Sequence, residues 1–427
     1  MSGLSGTFFG YNKRKVAENM PAGKAETREN MSSYLLIKQG TIHNAIDEEP
    51  FVADILAEDG KIKKIAPVLE GKIINEAEVI DATGIDIYPG FVDAHCHLGL
   101  DGYAVGFEGD DYNELGDPVT PQLSAIDAIN PQDETFRIAR EGGVTCVSTG
   151  PGSSNVIGGT FCVIKTYGKR VDDMIVKEKS AMKIAFGENP KNCYKDKGVY
   201  SRMSVAAKLR EVLHQTIIYD HKLKEAGYPD NIDYSKLPVY DAKLEAMLPV
   251  IHGEIPLKAH AHRADDIYTA IRIAKEFGLD LRIDHTTDGA LIADDLAKEG
   301  FPVAVGPSFG HASKYELKNK GFHTPAVLAK AGCQVSIITD SPVIEEQYLA
   351  LCAGRAIKNG MSEFEALRTI TVNAAKHIGV EDRVGSIEEG KDADFVLVKG
   401  TPFAVHTQIL YTIIDGKVVY SSAMQSQ

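Results

Sequence analysis

From about residue 88 to residue 380 the chain repeats one unit: a short apolar run, a brief connection, then an amphipathic helical pattern. GVTCVSTG, AMKIAFG, IPLKAHAH, LDLRIDH, FPVAVGP and CQVSIITD read as strands. In ADDIYTAIRIAKEFG, residues Ile267, Ala270, Ile271, Ala274 and Phe277 share one helical face, with Asp265 the expected N-cap and Gly278 the stop. ALIADDLAKEG and TPAVLAKAG repeat the pattern. Strands joined through helices over short connections run parallel. Six or more such units in this length fit a closed (β/α)8 barrel better than an open sheet. Residues 201–252 hold two long helical stretches and read as an insertion.

The two ends have another texture. YLLIKQG, FVADILAEDGKIKKIAP, ADFVLVKG and ILYTIIDGKVVY are short strands broken by turn residues, and Asp415-Gly416 is a two-residue hairpin signal. The expected class is therefore α/β: a (β/α)8 barrel over residues 89–383, with a small β-sandwich domain built from both termini, 32–88 and 384–427. Residues 1–31 are polar and aperiodic and read as a flexible leader.

Forty-six basic residues against sixty acidic give a formal charge of −14, which disfavours nucleic acid and anionic membrane as partners. Six cysteines without a CxxC pair read as reduced thiols. No apolar run reaches the roughly 20 residues of a membrane helix, and the N-terminus lacks a secretory pattern. A cytoplasmic homo-oligomer acting on a small molecule is expected, the oligomer on base rate alone.

DAHCHLG places His95 and His97 two apart at the end of the strand YPGFV, so both imidazoles face one side. Singly, an HxH pair is a common coincidence. Here three more strand ends carry ligand types: His260 and His262 in LKAHAH, His285 in LRIDH, and Asp340 in SIITD. In a barrel all these ends open on one face, where the active site sits. Together they point to a metal centre.

Other motifs are set aside. GSIEEGKD (385–392) mimics a phosphate loop, but Asp392 stands where Ser or Thr would hold magnesium and a strand follows. GPGSSNVIGG (150–159) lacks phosphate-loop spacing and reads as a loop over the pocket, with a substrate contact left open. Asn30-Met31-Ser32 is a sequon without use in a cytosolic protein. Cys96 alternates away from the ligands into the core, and His311 and His323 read as surface residues. No GxSxG nucleophile elbow is read, GPSFG (306–310) matching the letters alone, and HExxH does not occur.

IDATGIDIYPGFVDAHCHLG, the later His and Asp strand ends, TVNAAKHIGV and GSIEEGKDADFVLV together resemble the metal-dependent amidohydrolase superfamily, on its imidazolonepropionase-like and prolidase-like branch, over about residues 34–421. The resemblance implies His95 and His97 as first-strand ligands, His260 and His285 as fifth- and sixth-strand ligands, Asp340 as the eighth-strand ligand, and His262 beside the metal on the substrate. It implies one or two divalent cations, zinc by default, with Mn, Fe, Ni or Co also suited to such ligands. In binuclear members a glutamate or a carboxylated lysine bridges the ions, and AMKIAFGENPKN offers Glu188 and Lys183; position at the strand end favours Glu188. The implied activity is hydrolysis of an amide, cyclic amide, peptide or N-acyl amino acid by metal-activated water, with Asp340 as general base and acid. Deamination of an amidine-like heterocycle is the alternative, and a non-catalytic barrel the remote one.

Overall fold

The computed structural model describes residues 33–71, 77–104 and 106–423; the expected leader over 1–31 lies outside them. The first strands are β1 (Tyr34–Ile42), β2 (Phe51–Glu58), β3 (Lys61–Ala66), β4 (Glu78–Asp81) and β5 (Asp86–Pro89). The barrel strands follow: β6 (Phe91–Cys96), β7 (Val144–Thr149), β8 (Ile157–Lys165), β9 (Ile175–Ala185), β10 (Leu257–Ala261), β11 (Leu281–His285), β12 (Val303–Val305) and β13 (Val335–Ile337). The chain then adds β14 (Phe395–Val398), β15 (Ile409–Ile414) and β16 (Lys417–Ser421).

Strands from the two ends form one eight-stranded sheet in the order β16-β15-β14-β5-β1-β2-β3, with β4 on β1. The termini meet where β14 pairs antiparallel with β5. Ile37, Ile55, Ile62, Phe395, Leu397 and Ile413 fill the core of this sheet. Asp415-Gly416 turns β15 into β16, with φ of 48° and 70°, the left-handed pair that a two-residue hairpin needs.

The second sheet runs in sequence order from β6 to β13. Beyond the last ladder, His97 N donates to Ser341 O at 2.8 Å and Asp340 N to His95 O at 3.2 Å, drawing the two edge strands together. Helices Ala264–Phe277, Ala293–Glu299 and Thr324–Lys330 cover the sheet. Ile267, Ala270, Ile271 and Ala274 are buried as the periodicity requires, and Gly278 ends its helix in the left-handed region. Arg263 rather than Asp265 occupies the N-cap position; Asp265 lies in the first turn and pairs with Arg263. The insertion forms helices Arg202–Glu225 and Ala242–Ile251 between β9 and β10.

One strand departs from the expected repeat. β8 is antiparallel to both β7 and β9. Residues 150–156 and 166–174 contain no α-helix, and a parallel crossover takes a dozen residues or more, so both connections reverse the chain. No helix among the described residues is long and apolar enough to cross a membrane.

Candidate metal centre

Two groups of ligand atoms form at the strand ends. His95, His97 and Asp340 make one, and His260, His262 and His285 the other, with the atoms of each group within 4.8 Å of one another. The rings of His95 and His285 stand 5.0 Å apart, so the groups adjoin. Alternation along β6 turns both His95 and His97 inward and leaves Cys96 in the core.

Partners behind the rings set their lone pairs. His97 Nδ1 lies 2.7 Å from Gly150 O, and His285 Nδ1 lies 2.8 Å from Gly306 O. A carbonyl only accepts, so Nδ1–H donates and Nε2 keeps its lone pair for the centre. His95 Nδ1 lies 2.9 Å from Asp284 Oδ2, an ion-pair contact without hydrogen-bond geometry. Nε2 of His95 and His97 then reach Asp340 Oδ1 at 3.4 and 3.3 Å. His262 differs: its Nδ1 is 2.8 Å from the Thr287 hydroxyl, which can donate as well as accept.

Burial pushes His95, His260 and His262 below the usual imidazole range, and His285 down to about 3. These rings are therefore neutral, the form that binds metal. Burial alone would raise Asp340, but His285 and the other imidazoles outweigh it and hold the carboxyl well below its ordinary value. Both ring nitrogens of buried His260, and Nε2 of His285, lack a hydrogen-bond partner among the described residues. Orphaned buried nitrogens facing a carboxylate fit a divalent cation. His285 and Asp340 have φ of 74° and 57°, unusual for residues other than glycine, and such strain concentrates at functional sites.

The two fourth-strand candidates separate. Lys183, on β9, is fully buried, and its Nζ lies 3.4 Å from His95 Nε2. Glu188 does not join either ligand group: it begins the helix Glu188–Cys193, and its Oε2 accepts from Glu316 N at 3.1 Å. The physical reason is that Gly187, with φ of 84°, turns the chain out of the barrel just after the strand.

Under the ligands lies a charged layer. Lys258 pairs in register with Lys183, and its Nζ donates to Asp284 Oδ1 and Ala94 O, each at 2.9 Å. His377 Nε2 is 3.4 Å from the same Asp284 oxygen. Phe161, on the reversed strand β8, has both lysine ammoniums 5.4 Å from its ring centre. Lys258 thus has a carboxylate partner. Lys183 has none within ion-pair distance among the described residues, and burial pushes it down to about 8.

Above the ligands is a cavity of about 300 Å³, bordered by His97, His260, His262 and Asp340. Ser153 and Ser154, from the glycine-rich loop after β7, also line it. His311 and His323 are exposed, as expected. Sequence reasoning missed Asp284, Lys258, Lys314 and Glu316. Lys258 was detectable, because it stands two and four residues before His260 and His262 on the same strand face. Lys314 and Glu316 sit in a loop without periodicity and carried no such signal.

Residues 256–419 match the amidohydrolase family model. The chain superposes on the crystal structure of an amidohydrolase from Thermotoga maritima MSB8 with a TM-score of 0.86 and 40% identity, covering 91% of this chain and 100% of that one. It is 27% identical over 396 residues to amidohydrolase tasK of Hapsidospora irregularis, covering 86% of this chain but only 40% of the longer relative. An imidazolonepropionase of Symbiobacterium thermophilum is 24% identical, with 85% and 87% of the two chains covered. With the barrel, the terminal sheet and the converging strand ends already in place, these similarities show that the chain belongs to the metal-dependent amidohydrolase superfamily.

Proposed function

We propose that this protein hydrolyses a carbon–nitrogen bond in a small amide, cyclic amide, peptide or N-acyl amino acid. The observation that carries this reading is the convergence of His95, His97 and Asp340 with His260, His262 and His285 on one cavity. The similarity to an imidazolonepropionase and to an amidohydrolase supports it. His95, His97, His260, His285 and Asp340 would hold one or two divalent cations, zinc by default, and a bound cation brings the pKa of water towards 7. Mn, Fe, Ni and Co suit the same donors.

The residues divide the remaining work. Asp340, held ionised by the imidazoles, accepts the proton of the attacking water and returns it to the leaving nitrogen. Because Thr287 can donate to His262 Nδ1, His262 is free to carry its proton on Nε2 and donate to the substrate carbonyl oxygen. That option is closed to His97 and His285, whose Nδ1 protons are fixed by carbonyls. Thus His262 faces substrate.

For the bridge, Lys183 replaces Glu188 in our reading. A neutral lysine nitrogen attacks carbon dioxide, forms an N–C bond and releases one proton, leaving a carbamate with two carboxylate oxygens. The lowered pKa of Lys183 supplies the neutral amine, and the side chain points at His95. A homo-oligomer working in the cytoplasm completes the proposal.

The test is to screen dipeptides, N-acyl amino acids and lactams with metal-stripped protein and with Zn- and Mn-reconstituted protein. Metal content, carboxylate product and ammonia are followed together. Metal-dependent release of a carboxylic acid is expected. Stoichiometric ammonia without a carboxylate product would establish deamination instead, and a protein that holds no metal would sink the reading.

A further inference from the structure

The cavity lining holds one lysine or arginine among the described residues, Lys314, in the loop after β12. Its ammonium donates to Asn189 Oδ1 at 2.8 Å and contacts Glu316 Oε1 at 2.6 Å. An ammonium has three protons, and no acceptor is in place for the third among the described residues. Asn189 also donates from Nδ2 to Ser153 Oγ at 2.7 Å, leaving the proton of that hydroxyl for another acceptor. One amide thus holds an ammonium and a hydroxyl side by side on the cavity wall.

Their location relative to the chemistry is defined by Glu316. Its Oε1 lies 3.8 Å from Nε2 of both His260 and His262, so Lys314 stands one carboxylate oxygen away from those rings. Glu316 is itself buried and tied through Oε2 to Glu188 N at 2.9 Å, which fixes the loop. Asp340 is the only carboxylate on the lining among the described residues, and it belongs to the ligand group.

We propose that Lys314 and Ser153, bridged by Asn189, form a subsite for a carboxylate that the substrate carries close to its scissile bond. The substrates are then anionic amides, such as N-acyl amino acids, rather than neutral ones. This rests on the hydrolytic reading above and narrows it.

The experiment compares N-acetyl amino acids with their uncharged amides on the metal-loaded protein, by acetate release and by calorimetric binding. The native protein is expected to prefer the acid at least tenfold in kcat/KM. In Lys314→Met that preference should collapse towards one, mainly through KM, and Lys314→Arg should restore part of it. Acid-selective binding without acetate release would support the subsite while sinking the hydrolytic reading. Equal binding of acid and amide, or binding of neither, overturns the subsite. So does a Lys314→Met protein that weakens acid and amide alike.

Discussion

Glu188 and Glu316 are latched to each other's backbone: Glu188 N donates to Glu316 Oε2 at 2.9 Å, and Glu316 N donates to Glu188 Oε2 at 3.1 Å. A Cβ at Gly187 would run into the Glu316 carboxylate, which is why a glycine with positive φ precedes the latch. The carboxylate at the end of β9 therefore organises the Lys314 loop and does not enter the ligand groups.

For the latch we expect Glu188→Ala to keep its metal and to lose about 1 kcal/mol of stability, the net value of such a bond. The loop should loosen, raising KM more than it lowers kcat. Metal analysis by mass spectrometry decides the point, because loss of metal would return Glu188 to the ligand set.

Lys183→Met should be metal-poor, and a short-chain carboxylic acid should rescue it. Reconstitution of the native protein should depend on added bicarbonate. Full metal content in Lys183→Met, with bicarbonate-independent loading, would overturn Lys183 as the bridge, and one tightly held ion per chain in both the Lys183 and Glu188 variants would make the centre mononuclear.

His95→Ala and His97→Ala should each reduce bound metal and abolish turnover, since each removes a buried imidazole aimed at Asp340. Asp340→Asn should fold but lose roughly 10²–10⁴ in rate with the general base. Circular dichroism alongside kinetics separates this from unfolding, and a near-native rate would assign the proton transfer to another residue.

Thr339 Oγ1 lies 2.6 Å from Asp93 Oδ2 and 2.9 Å from Glu346 Oε2, and it accepts from Ser341 N at 3.0 Å. One hydroxyl proton cannot serve two carboxylates, so one of the acids is neutral. Burial agrees, pushing Asp93 up to about 6 and Glu346 well above its ordinary range. A carboxyl whose folded pKa is raised stabilises below its unfolded value and loses that contribution as pH climbs through the folded one. This pair's contribution therefore fades as pH rises from Asp93's ordinary 3.8 past about 6, while the buried neutral imidazoles add stability over the same range, so the pair is read by difference. The urea midpoint of the native protein relative to Glu346→Gln should fall over that range, and Glu346→Ala should cost about 1–3 kcal/mol. A difference that stays constant or rises over that range would contradict the protonated pair.

Lys165, at the end of β8, is buried against Asp392 at 2.9 Å and also contacts Asp394 and Asp415. It joins the barrel to the terminal sheet. Lys165→Met would leave buried aspartates without their counter-ion and should cost about 3–5 kcal/mol. Thermal unfolding measures this, and a change below 1 kcal/mol would show that Lys61 and Arg383, which also contact Asp392, suffice.

Periodicity alone determined the repeating strand–helix architecture, the terminal strands and the shared face of His95 and His97, while His260, His285 and Asp340 were marked by their positions at strand ends. Each of these is written locally: alternation along a strand decides which side chains face the barrel, and a helix length decides whether the next strand runs parallel. The reversal of β8 was legible in principle from its short connections, but its apolar run IGGTFCVIK follows a glycine-rich segment that reads as loop. What only the tertiary structure decided are the pairings across loops. Glu188 turns towards Glu316, 128 residues away, Lys183 is left facing His95, and Lys314 reaches Asn189 from 125 residues along the chain. No spacing rule encodes such contacts. They depend on where the barrel brings its loops together, and on burial that leaves Lys258 with a carboxylate and Lys183 without one.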